Sequence, residues 1–288
     1  MPTTARPRRS ALYLPASNAR AIEKARTLAC DVVILDLEDA VAPEAKAAAR
    51  AQAVAAVRQG GFGPREVVVR VNGMDTPWGA ADLAALSDVR PDAVLVPKVG
   101  GPADIAAYAD LPGRAPLWAM IETCAAVLGL EPLGRACAEH GVSAWVMGVN
   151  DLAKEMGCRL DAARTPLLPA LSLSVIAARA HGLAILDGVF NGLAADDELK
   201  QACAQGAAFG FDGKTLIHPD QIDAANRAFS PAPEAIAWAR KVVRAFESPE
   251  TAGQGVIRVE GHMVERLHLA QAKTLLAVAD SIAARAAP

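Results

Sequence analysis

Residues Asp31–Arg50 read DVVILDLEDAVAPEAKAAAR and contain a complete strand–helix unit. Val32–Leu37 is a short, β-branched and almost wholly apolar run, which is typical of a parallel strand buried on both faces. Three carboxylates, Asp36, Glu38 and Asp39, stand where this run ends. In folds built from such units the chemistry lies at the carboxyl ends of the strands, so we expect these acids near a functional site.

The second half of the same stretch predicts a helix. Pro43 is suited to a first helical turn, Glu44 complements the positive end of the helix, and the following residues are rich in alanine. Gly60-Gly61 is expected to end this helix.

Seven further candidate strands alternate with helical segments along the chain. With Val32–Leu37, the predicted strands are Ser10–Leu14, Glu66–Val71, Ala93–Pro97, Leu117–Ile121, Ser143–Met147, Leu183–Leu186 and Ala208–Phe211. Eight such units predict a (β/α)8 TIM barrel over residues 1–230. An open doubly wound sheet is the alternative, and it is disfavoured because no GxGxxG turn follows the first strand.

The C-terminal residues 231–288 fall outside the eightfold repeat and predict a helical extension. We expect helices over Pro231–Glu247 and Met263–Ala287, with a possible short strand at Val256–Val259 between them. Extensions of this kind often pack on a neighbouring subunit.

Composition limits the classes of function. The chain has 288 residues, of which 52% are apolar and 21% charged, with a formal net charge of −3. This balance gives no electrostatic reason to expect a nucleic acid or membrane partner. The five cysteines form no CxxC pair and predict reduced thiols in a cytoplasmic protein.

Polar residues at the strand ends are the candidates for chemistry, because a barrel brings these ends to one mouth. They are Asp36, Glu38, Asp39, Arg70, Asn72, Lys98, Glu122, Asn150, Asp151, Asp187 and Lys214. Glu122 and Asp151 end successive strands, and no His or Cys stands at the same positions. An all-oxygen pair favours Mg²⁺ over zinc, and a hydrogen-bonded structural acid is the alternative for each.

Three cations near the strand ends suggest anion binding. Arg70 lies at the end of an apolar strand, where its planar fork suits a substrate carboxylate or a salt bridge to Glu38 or Asp39. Arg20 and Lys24 are four residues apart on the first predicted helix. They are suited to the phosphates of a large ligand, or they are ordinary solvated charges.

An ordered set of sequence runs resembles the citrate lyase β-subunit-like CoA ester lyases, within the HpcH/HpaI aldolase/citrate lyase superfamily. The runs are RSALYLPASNARAIEKA, DVVILDLEDAVAPEAKAAAR, VVVRVNGMDTPWGAADL, AVLVPKV, WAMIETCAAVL, VMGVNDLAKEMG, ILDGVFNGL and GFDGKTLIHPDQIDAANRAFSP. The resemblance covers nearly the whole chain in order. It implies a (β/α)8 barrel, a homotrimer or hexamer, and Mg²⁺-dependent cleavage of a carbon–carbon bond in an acyl-CoA thioester.

The resemblance also implies roles for particular residues. Glu122 and Asp151 correspond to the metal ligands, and Arg70 to the group that binds the substrate carboxylate. Glu38 and Asp39 are implied to orient metal-bound waters and Arg70. The residues implied along a CoA channel are Tyr13, Arg20 and Lys24.

Two positions depart from the family pattern. The familiar IETP reads Ile-Glu-Thr-Cys here, which changes the turn after Glu122 but keeps the ligand. The tail motif Met-Ile-Asp-x-Pro-His, whose Asp serves a neighbouring subunit as acid or base, reads Met263-Val264-Glu265-Arg266-Leu267-His268. Glu265 has one methylene more than Asp, which argues against a specialised synthase or thioesterase and is neutral for a lyase.

The leading hypothesis from the sequence is therefore a Mg²⁺-dependent lyase that acts on a carboxylated 3-hydroxyacyl-CoA such as malyl-CoA or citramalyl-CoA. The alternatives are a thioesterase for the same esters and a citryl lyase β subunit that depends on a carrier protein. A non-catalytic binding protein on a barrel scaffold is disfavoured by the intact acidic pair.

Overall fold

A computed structural model describes residues 6–110, 115–193, 195–251 and 253–286. The chain divides into two compact units, one formed by Arg8–Phe229 and the other by Arg6 and Pro7 together with the chain from Ser230 onward.

The larger unit contains a closed barrel of eight parallel strands in sequential order. The strands are β1 (Ser10–Pro15), β2 (Val32–Asp36), β3 (Glu66–Arg70), β4 (Ala93–Val96), β5 (Leu117–Ile121), β6 (Val142–Met147), β7 (Ala184–Asp187) and β8 (Gly213–Leu216). This confirms the predicted (β/α)8 fold and excludes the open sheet.

The predicted eighth strand, Ala208–Phe211, is wrong. Ala208 and Phe209 close a helix that ends at Gly210, which has a left-handed φ of 93°. The true strand, β8, begins at Gly213 and contains Lys214 and Thr215, both completely buried. A search for apolar runs does not detect β8, because this strand contains the polar residues Lys214 and Thr215. The other seven predicted strands agree with the structure to within one residue at each end.

Helices surround the barrel. They are α1 (Ala19–Ala25), α2 (Lys46–Gln59), α3 (Gly79–Leu86), α4 (Pro102–Ala109), α5 (Cys124–Leu128), α6 (Leu130–Glu139), α7 (Val149–Met156), α8 (Leu168–Ala180), α9 (Asp197–Phe209) and α10 (Ile222–Ala228). Pro43 begins a short 3₁₀ turn that leads into α2, and α2 ends at Gly60 as predicted.

Alternation along the strands separates two cores. Val32 and Ile34 belong to the cluster that fills the barrel, whereas Val33 and Leu35 pack outward in the cluster shared with the helices. Since side chains alternate along a strand, the next inward position on β2 is Asp36. The barrel interior thus changes from aliphatic to charged at the carboxyl end of the strands.

The smaller unit contains α11 (Pro233–Glu247), α12 (Arg266–Ala286) and an antiparallel hairpin of β9 (Val256–Val259) and β10 (His262–Glu265). The predicted helix start at Met263 is wrong, because residues 262–265 form β10. The two turn residues, Glu260 and Gly261, both have positive φ, 47° and 85°. This is the geometry of a two-residue hairpin turn, which the sequence reading missed.

Within the described ranges, no helix combines the length and apolar character needed to cross a lipid bilayer. The five cysteines are free thiols, and Cys30, Cys137 and Cys203 are buried. The cytoplasmic location stays a prediction.

Candidate active site

A cleft of about 320 Å³ opens at the carboxyl ends of the barrel strands. Its polar lining comes from Tyr13, Asp36, Asp39, Arg70, Glu122, Asn150, Asp151 and Thr215, and its apolar lining includes Met120, Met147, Val149, Val189 and Ile217. Seven of the candidate residues from the sequence therefore line one cavity; they are Tyr13, Asp36, Asp39, Arg70, Glu122, Asn150 and Asp151.

Arg70 is held by Asp36, its partner in the register between β2 and β3. The guanidinium donates from Nε to Oδ1 of Asp36 at 2.7 Å and from Nη2 to Oδ2 at 2.6 Å. Both residues are buried, with 8% and 1% of their surface exposed. The ring of Tyr13 lies 4.9 Å from the guanidinium carbon and covers one face of the fork.

The contacts of Arg70 leave part of its donor set available. Of its five N–H groups, two bind Asp36, and Nη1 lies 2.8 Å from Oε2 of Glu38 in an ion pair. Nη1 also faces the sulfur of Met120 at 3.7 Å, a weak acceptor. Among the described residues, one Nη2 hydrogen has no acceptor, so Arg70 keeps one donor in the lining of the cleft.

Glu38 links two cations. Its Oε1 accepts a hydrogen bond from Nζ of Lys98 at 2.5 Å, while its Oε2 faces Arg70. Burial raises the pKa of Glu38, and Arg70 and Lys98 counter that effect. Asp39 is more exposed and lies farther from the same cations, at 3.8 Å from Arg70 and 3.9 Å from Lys98. The sequence predicts that Arg70 binds a substrate carboxylate or forms a salt bridge to Glu38 or Asp39. The structure contains the ion pair with Glu38 at 2.8 Å and adds two shorter contacts, both to Asp36.

Glu122 follows β5 and is almost completely buried, with 2% of its surface exposed. Its Oε1 accepts a hydrogen bond from the backbone N–H of Lys98 at 2.7 Å, and its Oε2 accepts none from the described residues. Burial raises the pKa of Glu122 to about 7, although the Lys98 N–H favours the ionised form. A buried carboxylate with one unsatisfied oxygen is a natural place for a cation.

A glycine makes room for Glu122. Gly148 directly follows β6, and an added Cβ there would lie 2.2 Å from Oε2 of Glu122. The φ of Gly148 is −96°, so the requirement is one of space and not of backbone conformation.

Asp151 lies in the first turn of α7, with 30% of its side chain exposed. Nζ of Lys98 lies 3.6 Å from its Oδ2. Glu122 and Asp151 thus line the same cleft but enter it from different elements, a strand end and a helix start.

The donor set suits a hard divalent cation. The described part of the chain contains no group of three or more His, Cys, Asp or Glu side chains arranged around a metal, so protein ligands would be few. Mg²⁺ is commonly held by one or two carboxylates with water and substrate oxygens. At the mouth, two cations, Arg70 and Lys98, face five carboxylates. The carboxylates are those of Asp36, Glu38, Asp39, Glu122 and Asp151. This excess of negative charge fits Mg²⁺.

The remaining predicted residues lie in different places. Tyr13 lies inside the mouth, where burial raises the pKa of its hydroxyl far above the usual value. Arg20 and Lys24 are exposed on α1. Glu265 ends β10 in the smaller unit, and its N–H donates to Nδ1 of His268 at 2.9 Å.

Lys46 supports the site and was missed in the sequence. Its buried ammonium donates to the carbonyl oxygens of Leu37 and Glu38 at 2.8 and 2.7 Å, and to Oδ1 of Asn72 at 2.8 Å. Arg50, one turn further along α2, binds Asp82, which in turn accepts from Asn72. The spacing of Lys46 and Arg50 on one helix face was the available signal.

The model of the HpcH/HpaI aldolase/citrate lyase family matches residues 9–219. The chain therefore belongs to this family, as its sequence runs indicated, and it is an enzyme. A (3S)-malyl-CoA thioesterase from Cereibacter sphaeroides (strain KD131 / KCTC 12085) is 48% identical over 280 residues, which is 97% of each chain.

More distant relatives carry lyase names. The mitochondrial citramalyl-CoA lyase of Homo sapiens is 32% identical over 96% of this chain and 86% of that protein. Among solved structures, the protein CitE from Mycobacterium tuberculosis, in complex with magnesium, acetoacetate and coenzyme A, superposes with a TM-score of 0.76. It is 31% identical and covers 96% of this chain and 100% of that chain.

Proposed function

We propose that this enzyme hydrolyses a 3-hydroxyacyl-CoA that carries a second carboxylate, of the (3S)-malyl-CoA type, to the free hydroxy acid and CoA. The structural observation behind this substrate class is the buried Arg70 fork, which keeps an uncommitted donor beside an acidic pair in one cleft. The preference for hydrolysis is supported by the 48% identity to a thioesterase over nearly the full length of both chains.

Glu122 and Asp151 are the proposed Mg²⁺ ligands, through Oε2 of Glu122 and the partly exposed carboxylate of Asp151. When bound, Mg²⁺ would supply a Lewis acid that polarises an oxygen of the substrate. The solved relative that contains magnesium and coenzyme A supports this assignment.

The remaining steps concern this chain's own residues. Arg70 binds the carboxylate of the substrate, and Asp36 and Glu38 hold the guanidinium so that the acyl chain enters in one orientation. A water attacks the thioester carbonyl carbon, the carbon–sulfur bond breaks, and the thiolate of CoA takes up a proton. Glu265 of a neighbouring copy is proposed as the base for this water, in a homotrimer or hexamer.

The CoA portion is proposed to leave the cleft along Tyr13, Arg20 and Lys24. Tyr13 lines the cleft itself, and the two cations are exposed and free to meet phosphates. Glu38 and Asp39 are proposed to order water near the metal carboxylates.

Reversible carbon–carbon cleavage is the second candidate. Relatives that are 32% identical carry lyase names, including an L-malyl-CoA/beta-methylmalyl-CoA lyase of Cereibacter sphaeroides (strain ATCC 17025 / ATH 2.4.3). In this reaction a base takes the hydroxyl proton of the substrate, the carbon–carbon bond breaks to give glyoxylate or a 2-oxoacid, and the enolate of the acyl-CoA is protonated. The third hypothesis is a citryl lyase β subunit that acts on citryl groups held by a carrier protein.

Product analysis separates these reactions. Purified enzyme with Mg²⁺ and (3S)-malyl-CoA should release malate and a free CoA thiol, whereas a lyase would release acetyl-CoA and glyoxylate, measurable as its phenylhydrazone. Citramalyl-CoA is the second substrate to test. If neither ester is turned over without a carrier protein, both proposals for free CoA esters are wrong.

A variant tests the role of Glu265. Glu265→Gln should abolish hydrolysis and leave any carbon–carbon cleavage intact. Glu260→Gln is the matched control, because Glu260 lies in the turn of the same hairpin and pairs only with the exposed Lys241 in the described structure. Equal hydrolysis by the Glu265 variant and the control would remove Glu265 from the mechanism.

A further inference from the structure

Lys98 has an unusual backbone. It follows β4 directly after Pro97, and its φ is 51°, in the left-handed region that side-chain-bearing residues rarely occupy. This conformation turns its N–H toward Oε1 of Glu122 at 2.7 Å. A strained residue that orients a buried carboxylate indicates a functional constraint.

The side chain of Lys98 contacts three more carboxylates. Its Nζ lies 2.5 Å from Glu38, 3.6 Å from Asp151 and 3.9 Å from Asp39. About half of the side chain remains exposed, at 48%, so water or a ligand reaches it. Lys98 thus contacts four carboxylates, one through its backbone and three through its side chain. The proposed binding of a metal by Glu122 and Asp151 does not by itself require a lysine at this position.

We propose that Lys98 is a positioning residue for the carboxylates at the mouth of the barrel. Its N–H holds Glu122 in place, and its ammonium is a counter-charge that sets the affinity of Glu122 and Asp151 for a divalent cation. The inference rests on the proposed metal site and adds a residue that is not itself a ligand.

Electrostatics gives the direction of the effect. An ammonium in contact with Asp151 competes with any cation that binds there, because both carry positive charge. Removing the ammonium makes the potential at Glu122 and Asp151 more negative. A divalent cation should then bind more tightly, by about tenfold, since one charge at a few ångströms matters even at the dielectric of water.

Titration with Mn²⁺, followed by electron paramagnetic resonance in the absence of substrate, measures this affinity directly. Lys98→Met removes the ammonium and keeps a side chain of similar length. Lys98→Gly removes the ammonium and accepts the left-handed backbone without strain, so its N–H stays available to Glu122. Both variants should lower the Kd for Mn²⁺ by about tenfold.

Two control variants isolate the charge at this position. Lys98→Arg keeps the positive charge and should keep the Kd near that of the wild type. Lys200→Met removes an exposed lysine that pairs with Asp197 on α9, and it should leave the Kd unchanged.

The possible results distinguish a failure of the proposed metal site from a failure of the proposed role of Lys98. If the wild type shows no Mn²⁺ site, the proposed metal site and this inference both fall. If the wild type binds Mn²⁺ but Lys98→Met and Lys98→Gly bind it equally or more weakly, only the role of Lys98 is wrong. Lys98→Gly also guards against a folding defect in Lys98→Met, because glycine suits the backbone there.

Discussion

Arg70 is buried, lines the cleft and is the proposed binding group for the substrate carboxylate. A guanidinium withdrawn from water is costly unless its charge is compensated, and Asp36 and Glu38 place two carboxylates beside it. These partners also prevent the fork from rotating. Arg70 is therefore oriented before any ligand arrives, which would lower the entropy cost of binding the proposed substrate carboxylate.

Arg70→Lys should lower kcat/KM by about a hundredfold, because an ammonium cannot bind both oxygens of Asp36 and also hold a substrate carboxylate. Steady-state kinetics with the thioester substrate measures the loss. Arg179→Lys is the control, since Arg179 forms a comparable pair with Asp212 on the surface. Equal kinetics in both variants would contradict the role of Arg70.

Glu38→Gln and Asp151→Asn should affect different quantities. Glu38 touches the two cations and not the proposed metal position, so its loss should lower turnover more than metal affinity. Asp151→Asn should weaken metal binding more than it changes turnover at saturating Mg²⁺. Metal titration beside kinetics at saturating Mg²⁺ checks both, and an empty metal site in Glu38→Gln would show that Glu38 is itself a ligand.

At the scale of elements, the turn between β6 and α7 couples the two acids. The missing side chain of Gly148 leaves space for the carboxylate of Glu122. Asp151 lies three residues later, in the first turn of α7. Behind this face, α2 supplies Lys46 and Arg50 to fix the loops that follow β2 and β3. The site therefore depends on junctions between strands and helices as much as on the side chains that line it.

Gly148→Ala should displace the carboxylate of Glu122, because the new methyl would occupy space 2.2 Å from Oε2. We expect weaker Mn²⁺ binding and at least about a tenfold loss of turnover, the effect of misplacing a site by less than an ångström. Gly101→Ala is the matched control, since nothing lies within 4 Å of an added Cβ there. Unchanged metal binding in Gly148→Ala would exclude Glu122 as a ligand.

At the scale of the whole barrel, a buried ionic cluster joins β7 to β8. Asp187 and Lys214 are register partners and form an ion pair of 2.8 Å with no exposed surface on either side chain. Arg164 binds the other oxygen of Asp187 at 2.6 Å. The sequence analysis named Asp187 and Lys214 as strand-end residues; the structure joins them and Arg164 in one cluster where the last two strands meet.

Asp187→Asn should destabilise the fold by about 3–5 kcal/mol, because it leaves two buried cations without an anion. Chemical denaturation measures the loss. Lys200→Met, on the surface of the same unit, should change the free energy of unfolding by less than about 0.5 kcal/mol. A similarly small change in Asp187→Asn would show that the cluster contributes little.

The pH dependence of stability follows from the same cluster. Burial alone would raise the pKa of Asp187, but Lys214 and Arg164 outweigh it and hold the pKa below the usual value. A lowered pKa in the folded state stabilises the protein above the unfolded pKa, about 4, and this contribution is lost as the pH falls below it. Asp187→Asn should therefore show a shallower loss of stability than the wild type below about pH 4.

The fold was largely predictable because its signal is local. A strand buried on both faces must be apolar and short, and a helix must follow it, so seven strands and their order could be assigned from residue patterns. β8 could not be assigned in this way, because its Lys214 is neutralised by a residue 27 positions away.

The site was predictable to a lesser extent. Residue type and strand-end position selected Arg70, Glu122 and Asp151, and the barrel places all three along one cleft. Their catalytic roles stay predictions, as do those of Glu38, Asp39 and Glu265. The pairing of Arg70 with Asp36, the left-handed backbone of Lys98 and the close approach of Gly148 to Glu122 could not be predicted from composition or spacing.

The amino-acid sequence alone determined the barrel, the family and the residue types at the mouth, because these follow from periodicity and from short ordered runs. Only the tertiary structure decided which charges meet. Asp36 holds Arg70, and Lys98 joins Glu38, Asp151 and Glu122, because closure of the barrel sets the register of neighbouring strands. Pairing energies between charges depend on distance and burial, and neither quantity exists until the chain has folded.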